Sequence, residues 1–453
     1  MMKSTWLKIK LGLIKFIGPI DRFLKRVNDF IINLFNQNHF VLMLIIITVL
    51  IMAAKMAFIP VTNGDTHWFL EPWMRFIRDH GGLSSIGEIP ISYYYTPEGN
   101  IPYGDSRVET AIIEGMMRGN YPVFYYTILA AFSYLPYSNL AIIKIVSFLF
   151  DFALATGVMM VVSRFSKNKA LLVVSYLFAF ILPTFFINSA IWGQTDAVYG
   201  AMALWFIYFL MKDKPKTALI FIGLALTIKI QIIFILPIIG WLFLKKKFRL
   251  IYLFIPLTVV FISFLPNYIA GMPFMTPIKQ YTELAGTYTS VNLNSGSMYA
   301  FLEGINSKLR LYVDAFGIPF AFVVLLALIY YVYHQGVVVN NKSLLLLGTL
   351  FAVLTPFLLP HMHERYFYMA EVFLLAYALT HKNRWHLAIL SQLAGLITYG
   401  NFILGGWYFA EWGRGNLVIA AVINSYIIYA LIKDITLLEK ADPLPTKTHE
   451  DFS

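Results

Sequence analysis

The sequence predicts an all-α integral membrane protein, and three observations carry that prediction. Hydrophobic residues make up 59% of the chain and charged residues only 13%, about half the ~25% charged share of a soluble domain. The apolar residues fall in many separate runs near the ~20 residues that cross a bilayer as a helix. Lysine and arginine gather in short connections between those runs, the asymmetry that orients a chain in a membrane. A soluble domain could not hide this much apolar surface, and a single-anchor enzyme with a soluble head would need only one run. The net charge of +11, which in a soluble chain would suggest nucleic-acid binding, reads here as orientation, so no nucleic-acid partner is expected. The chain has no cysteine, which excludes disulfides and thiolate-bound metals. Aromatic residues at 17% suit interfacial belts and sugar-stacking surfaces.

Each element follows in order. Residues 1–39 alternate lysine and arginine with Trp6, Leu7, Ile14, Phe16, Phe23 and Ile31, predicting basic amphipathic helices on the cytoplasmic leaflet, broken near Pro19. Lys8, Lys10 and Lys15 interrupt the first apolar face, so no cleavable signal peptide is read there. Residues 40–59 form the first span, with Lys55 near its outer end either snorkelling or meeting a phosphate. Residues 60–120 hold eight acids against four arginines, the composition of an outer loop. The aromatic stretch 121–136 is too many crossings if it spans, because Arg164, Lys167 and Lys169 belong in the cytoplasm after span 140–163. It is therefore an interfacial or re-entrant helix, and the first outer loop extends over 60–139. Spans 170–188 and 197–211 follow. Residues 217–244 begin and end at lysine clusters yet are too short for two crossings, predicting two half-length helices that meet near Lys229. Span 249–268, an outer loop 269–315, and spans 316–334, 343–359, 366–380, 385–402 and 416–433 complete a transmembrane domain over 40–433. The expectation is a bundle of about 11–13 transmembrane helices with short interfacial helices in its long first outer loop. Residues 434–453 form a polar cytoplasmic tail. No internal repeat is visible, which argues against a secondary transporter.

Two acidic motifs stand at span ends on the same predicted side. One is Asn63-Gly64-Asp65-Thr66-His67-Trp68; the other is Trp192-Gly193-Gln194-Thr195-Asp196. A carboxylate at a membrane edge is costly to desolvate and usually lines a wet cavity or does chemistry. Asp65 reads either as the N-cap of a helix over 66–78 or as a general base toward an acceptor hydroxyl. Asp196 reads either as the cap of span 197–211 or, with Trp192 and Gln194, as a sugar-recognition set of indole, carboxamide and carboxylate. Lys229 and Gln231 lie near mid-bilayer by length. A lysine there needs a partner, which an anionic lipid phosphate or Asp151 could supply. His361-Met362-His363-Glu364-Arg365-Tyr366 follows Pro360. Its histidines lack the helical His-Glu-x-x-His zinc spacing, and Arg365 with the histidines suits a phosphate or a plain interfacial ion network. Tyr281, Tyr288, Asn292, Asn294, Ser295, Ser297 and Tyr299 fit carbohydrate contact or an ordinary ordered loop.

Together the motifs resemble those of GT-C glycosyltransferases that use polyprenyl-phosphate-linked sugars, including dolichyl-phosphate-glucose-dependent glucosyltransferases and bacterial mannosyltransferase-like membrane proteins. The likeness runs over about residues 40–400. The Asp65 motif opens the first outer loop, and Tyr121-Pro122-Val123-Phe124-Tyr125-Tyr126 is similar to a Tyr-Pro-Pro segment closing it. Trp192 to Asp196 resembles a Trp-Gly-Gln-x-Asp element, Lys229-Ile230-Gln231 a Lys-Pro-Gln element, and His363 to Tyr366 a His-Glu-Arg-Tyr element. Val123 and Ile230 stand where those elements carry proline, so a softer bend is expected near Lys229. The resemblance implies a GT-C-like bundle and an inverting hexosyl transfer, of the mannose, glucose or galactose class, from a polyprenyl-phosphate donor. The acceptor would be a glycan, lipid or polymer of the cell envelope, met on the extracytoplasmic face of the cell membrane. Asp65 would be the catalytic base, with His67, Trp192, Gln194, Asp196, Lys229, Gln231, His361, His363, Glu364 and Arg365 binding substrate. No cofactor is implied and a metal is not required, although Asp105 and Glu109 leave one open. The competing readings are a flippase for lipid-linked sugars and a non-catalytic envelope-assembly subunit.

Overall fold

The computed structural model describes residues 38–90, 119–286, 290–302, 307–403 and 415–440, with Lys25, Arg26, Asp29 and the pairs 95–96 and 99–100. The expected amphipathic helices of 1–39, apart from these few positions, fall outside the described residues, as do Asp105, Glu109, Tyr288 and the tail beyond 440. The chain divides into two compact units, Met1–Ala53 and Ala54–Ser453, and the site lies within the second.

The described chain is helical almost throughout. α1 (His39–Met56) leads to a π-helical turn (Thr66–Leu70) that runs into α2 (Glu71–Asp79). α3 (Val123–Phe132) has ten residues, about 15 Å at ~1.5 Å per residue, which is half a hydrocarbon core. Then come α4 (Asn139–Val162) and α5 (Lys169–Ile181), which bends by 53° into a second segment, Pro183–Ile191, whose last turn is again π-helical. α6 (Asp196–Met211), α7 (Pro215–Leu226), α8 (Pro237–Leu244), α9 (Phe254–Ile269), α10 (Thr276–Gly286), α11 (Ser307–His334), α12 (Asn341–Leu358), α13 (Tyr368–Thr380), α14 (Trp385–Ile403) and α15 (Gly415–Ile435) complete the order. Strands are confined to two-residue pairs, β1 (Tyr95–Thr96) with β2 (Gly99–Asn100) and β3 (Asn292–Leu293) in parallel with β4 (Met362–His363).

Six of these helices are long and apolar enough to cross a membrane, or seven counting the bent pair as one span. The protein is a multi-pass, all-α membrane protein. Other expected spans form shorter apolar helices, such as α6 and α13, and α7 is the first of the two short helices that flank Lys229. Local signals set their ends. Ser138 accepts from Ala141 N to start α4, Asn168 accepts from Ala170 N and Leu171 N to start α5, and Asn340 with Ser343 makes a reciprocal capping box for α12.

α6 is the axis of the core. It is apolar nearly all round and packs against α4, α7, α12 and α13, the pattern of a helix with no solvent face. Its two ends differ in chemistry. At its C-terminal end Arg164 donates to the Met211 carbonyl (3.1 Å) and Asn341 donates to the Arg164 carbonyl (3.4 Å). That end therefore gathers the basic connections after α4, α6 and α11. Glu439 and Lys440 of the tail pair with Val337–Val338 there. At the N-terminal end stands Asp196.

The chain is broken between α7 and α8 without a proline. Lys229 is extended (φ −143°, ψ 124°) and Ile230–Ile235 follows as a 3-10 turn. The break forms with isoleucine at 230, and the Lys229 side chain is committed there to a buried partner.

Candidate active site

Asp65 does not cap its helix. Asn63 does, accepting from Thr66 N (3.2 Å) while Thr66 Oγ1 accepts from Asn63 N (2.8 Å). Asp65 sits one residue inside the turn with helical dihedrals and makes no capping bond. Its side chain is thereby released toward the other motif. Oδ2 accepts from Trp192 Nε1 (2.9 Å) and from Gln194 Nε2 (2.7 Å). Among the described residues Oδ1 accepts nothing, and the side chain keeps 19% exposure. One oxygen is anchored and the other is available.

The second motif is held as firmly. The Asn63 amide donates to the carbonyls of Ile191 (3.2 Å) and Trp192 (3.1 Å). Trp192 stacks on Phe402 (4.9 Å, 17°) and meets Tyr399 edge-on. Tyr121 donates to Gln194 Oε1 (2.7 Å), turning the carboxamide so that its NH2 faces Asp65. Gly193 has φ +72°, and a Cβ there would stand 3.3 Å from Thr66. Glycine thus suits both the turn and the close approach of the two motifs.

Asp196 is fully buried at the start of α6 but makes no capping bond. Oδ1 accepts from Lys229 Nζ (2.8 Å) and Oδ2 from Asn188 Nδ2 (2.8 Å). Lys229 also lies over the Tyr121 ring, 4.6 Å from its centroid. Asp196 is therefore the buried partner that Lys229 required; Asp151 pairs with Lys55 instead (2.6 Å). Lys55 neither snorkels nor waits for a phosphate. It is fully buried and donates to Ser189 as well (2.8 Å).

Arg365 joins the two carboxylates. Its Nη1 donates to Glu364 Oε1 (2.7 Å) and lies 3.9 Å from Asp65, while Nε lies 3.6 Å from Asp196. Burial alone would raise the Glu364 pKa, but the His363 hydrogen bond and the Arg365 charge outweigh it and hold the carboxyl below its usual range. Burial likewise works against the Arg365 charge, and the charges of Glu364, Asp65 and Asp196 reverse that, pushing its pKa up. Both remain ionised. The β3–β4 pairing and the His361 N–H to Val291 carbonyl bond (2.8 Å) dock this segment on the loop that precedes α11.

The structure thus brings together Asp65, Trp192, Gln194, Asp196, Lys229, Glu364 and Arg365, with His363 at the rim, its Nδ1 3.6 Å from Glu364. Gln231 is buried beside Lys229, and its Oε1 has no hydrogen-bond partner among the described residues. Two expected residues face elsewhere. His67 is exposed and packs edge-on against Trp68 (4.7 Å). His361 contacts Asp314 (3.3 Å) and the Ser290 carbonyl (2.8 Å). In the loop 269–315, read either as a carbohydrate contact or as an ordinary ordered loop, Asn292 closes its own turn with Ser295, and Tyr281 donates to the Leu226 carbonyl. Sequence reasoning missed Asn63 and Asn188. The Asn-x-x-Thr spacing of Asn63 and Thr66 was a capping signal, and an amide such as Asn188 at the end of an apolar run asks for a polar partner.

Fold and site define a multi-pass membrane protein with a two-carboxylate polar cluster at the ends of its core helices. The family model for glycosyltransferase family 87 matches residues 120–359, more than half the chain, and the protein belongs to that family. Trp192, Gln194, Asp196, Lys229 and Gln231 lie inside the matched region; Asp65 precedes it and Glu364 and Arg365 follow it. Searches of curated proteins and of solved structures return no match.

Proposed function

We propose that the protein is a GT-C-like transferase that moves a hexose from a polyprenyl-phosphate donor to an acceptor hydroxyl on the extracytoplasmic face, with inversion. Family membership indicates glycosyl transfer. The observation that carries the mechanism is the asymmetry of Asp65, with Oδ2 fixed by two donors and Oδ1 unengaged among the described residues. In this reading Oδ1 takes the proton of the acceptor hydroxyl as its oxygen attacks the anomeric carbon. The bond from that carbon to the phosphate oxygen breaks, and the electron pair leaves on the polyprenyl phosphate.

The leaving phosphate needs cationic donors placed in advance. Among the described residues Lys229, with three N–H groups, uses one on Asp196, and Arg365, with five, makes one hydrogen bond, to Glu364. Both retain donors for a phosphate. The Tyr121 and Trp192 rings lie against these cations and hold them in place. Sidedness rests on α6: its Met211 end meets the basic connections and its Asp196 end the site. By the positive-inside rule this supports a site outside the cytoplasm.

The test is turnover of a panel of polyprenyl-phosphate sugars by the purified protein, with Asp65→Asn alongside. Transfer from one donor, lowered about 10²–10⁴-fold in the variant with donor binding intact, supports the reading. Undiminished transfer by Asp65→Asn overturns the base assignment. Donor binding without turnover of any panel member would favour the flippase or assembly-subunit reading.

A further inference from the structure

We propose that Lys55, Lys144 and Asp151, none of which touches the Asp65 carboxylate, are positioning residues that set the register of the two carboxylate motifs. This rests on Asp65 acting as the base. Lys144, Ser147 and Asp151 stand at i, i+3 and i+7 on α4, on one face of the helix. Each engages a segment that leads into the site. Lys144 Nζ donates to the carbonyls of Phe58 (2.7 Å) and Val61 (2.6 Å), the stretch between α1 and Asp65. Ser147 Oγ lies 3.4 Å from the Gly193 carbonyl, between Trp192 and Gln194. Asp151 accepts from Lys55, whose Nζ also reaches Ser189 in the π-helical turn before Trp192. One helix face is thus the common ruler for Asp65 and for the two side chains that hold it.

Stability alone is a poor account of this stripe. Lys55 and Asp151 are fully buried, and a buried ion pair seldom outperforms apolar residues of the same volume. Asp151 Oδ1 is buried with no hydrogen-bond partner among the described residues, a cost that a purely structural pair would have no reason to keep. Lys55 is further ringed by Phe148, Phe180 and Phe186 at 5.5–5.8 Å, so its ammonium has little room to shift. The result is a fixed point ten residues before the base and, through Ser189, three residues before Trp192.

The test replaces the pair rather than breaking it. Lys55→Met/Asp151→Leu removes both charges, so neither is left buried alone. The expected result is a kcat at least about tenfold lower with donor KM unchanged and an unfolding midpoint at or above wild type. The same two substitutions in Asp65→Asn should lower its residual rate no further, because the base they position is already gone. A wild-type kcat, or an equal loss in both backgrounds, overturns the proposal. Should the double variant not fold, Lys144→Gln, whose shorter, uncharged side chain cannot span to the two carbonyls as the ammonium does, is read in the same way, with recovery expected in Lys144→Arg. Asp65→Asn at the wild-type rate would sink the base reading itself. Asp65→Asn inactive beside a fully active pair variant would sink the positioning alone.

Discussion

Trp192 Nε1 donates to Asp65 Oδ2 at 2.9 Å across 127 residues of sequence. The bond joins two motifs that start separate helices and gives the carboxylate one fixed oxygen. With Gln194 on the same oxygen, the other is oriented without being occupied. A base that must not rotate away from its substrate is served by such an anchor.

Trp192→Phe tests that anchor. Phenylalanine keeps a ring for Phe402 and Tyr399 and removes only the N–H. A hydrogen bond to a charged group contributes roughly 1.5–3 kcal/mol, so kcat should fall about tenfold or more while donor KM changes little. Steady-state kinetics of the pure variant reads this directly. An unchanged kcat would mean that Gln194 alone holds Asp65.

Lys229 and Asp196 form a buried pair whose members differ in what their loss should do. Lys229→Met leaves Asp196 with Asn188 and the more distant Arg365, and should cost on the order of 3 kcal/mol. Lys229→Met/Asp196→Leu should regain the thermal midpoint yet remain inactive. Thermal unfolding in detergent separates the two. Equal midpoints for the single and double variants would show that Asp196 is not left uncompensated.

Arg365 and His361 lie four residues apart and predict opposite outcomes. Lysine cannot hold Glu364 and face both aspartates with one planar group, so Arg365→Lys should lose about 10²-fold in rate. His361→Ala removes contacts to Asp314 and Ser290 only and should stay within about twofold. A large loss in His361→Ala would return that side chain to the substrate.

Stability should fall on acidification in two stages. Burial lowers the His381 pKa, opposed in part by the Tyr377 carbonyl, so the folded state favours the neutral ring. A depressed folded value means that the unfolded chain takes the proton first. Stability is complete above the ordinary histidine value of about 6.5 and declines as pH drops below it. Glu364, also depressed, adds a second loss below about pH 4.3. Unfolding midpoints of wild type and His381→Gln between pH 8 and 5 check the first stage. Parallel curves would rule it out.

The spans were legible because lysine clusters and caps punctuate the apolar runs, and the break at Lys229 because 28 residues between two basic clusters are too few for two crossings. Gathering the Asp65 and Trp192 motifs at one place was legible from their shared position at span ends, and the part of Lys229 and Arg365 in that place only through the resemblance. Pairings inside the bundle were not. Whether Asp151 meets Lys55 or Lys229 depends on the rotation of α4 about its own axis, which no spacing along one strand of sequence reveals. His67 shows a related blind spot. It stands two residues from Asp65, but in a π-helical turn that offset turns it toward Trp68. His361 has a positive φ of 61°, which swings it away from the neighbours its motif suggested.

Both carboxylate motifs adjoin π-helical turns, Thr66–Leu70 and Ile187–Ile191. Each such turn is an ordinary helix carrying one surplus residue. Closing the same residues, Thr66–Leu70, as a plain α-turn would rotate α2 by about 100° against Asp65, taking Trp73 and Phe76 out of the core they fill. The irregularities therefore act as phase shifters: they let one helix satisfy an aqueous cluster at its tip and an apolar core along its shaft, two demands whose angular settings would otherwise conflict. A substitution that closed either turn into a plain α-turn would put those two settings out of step.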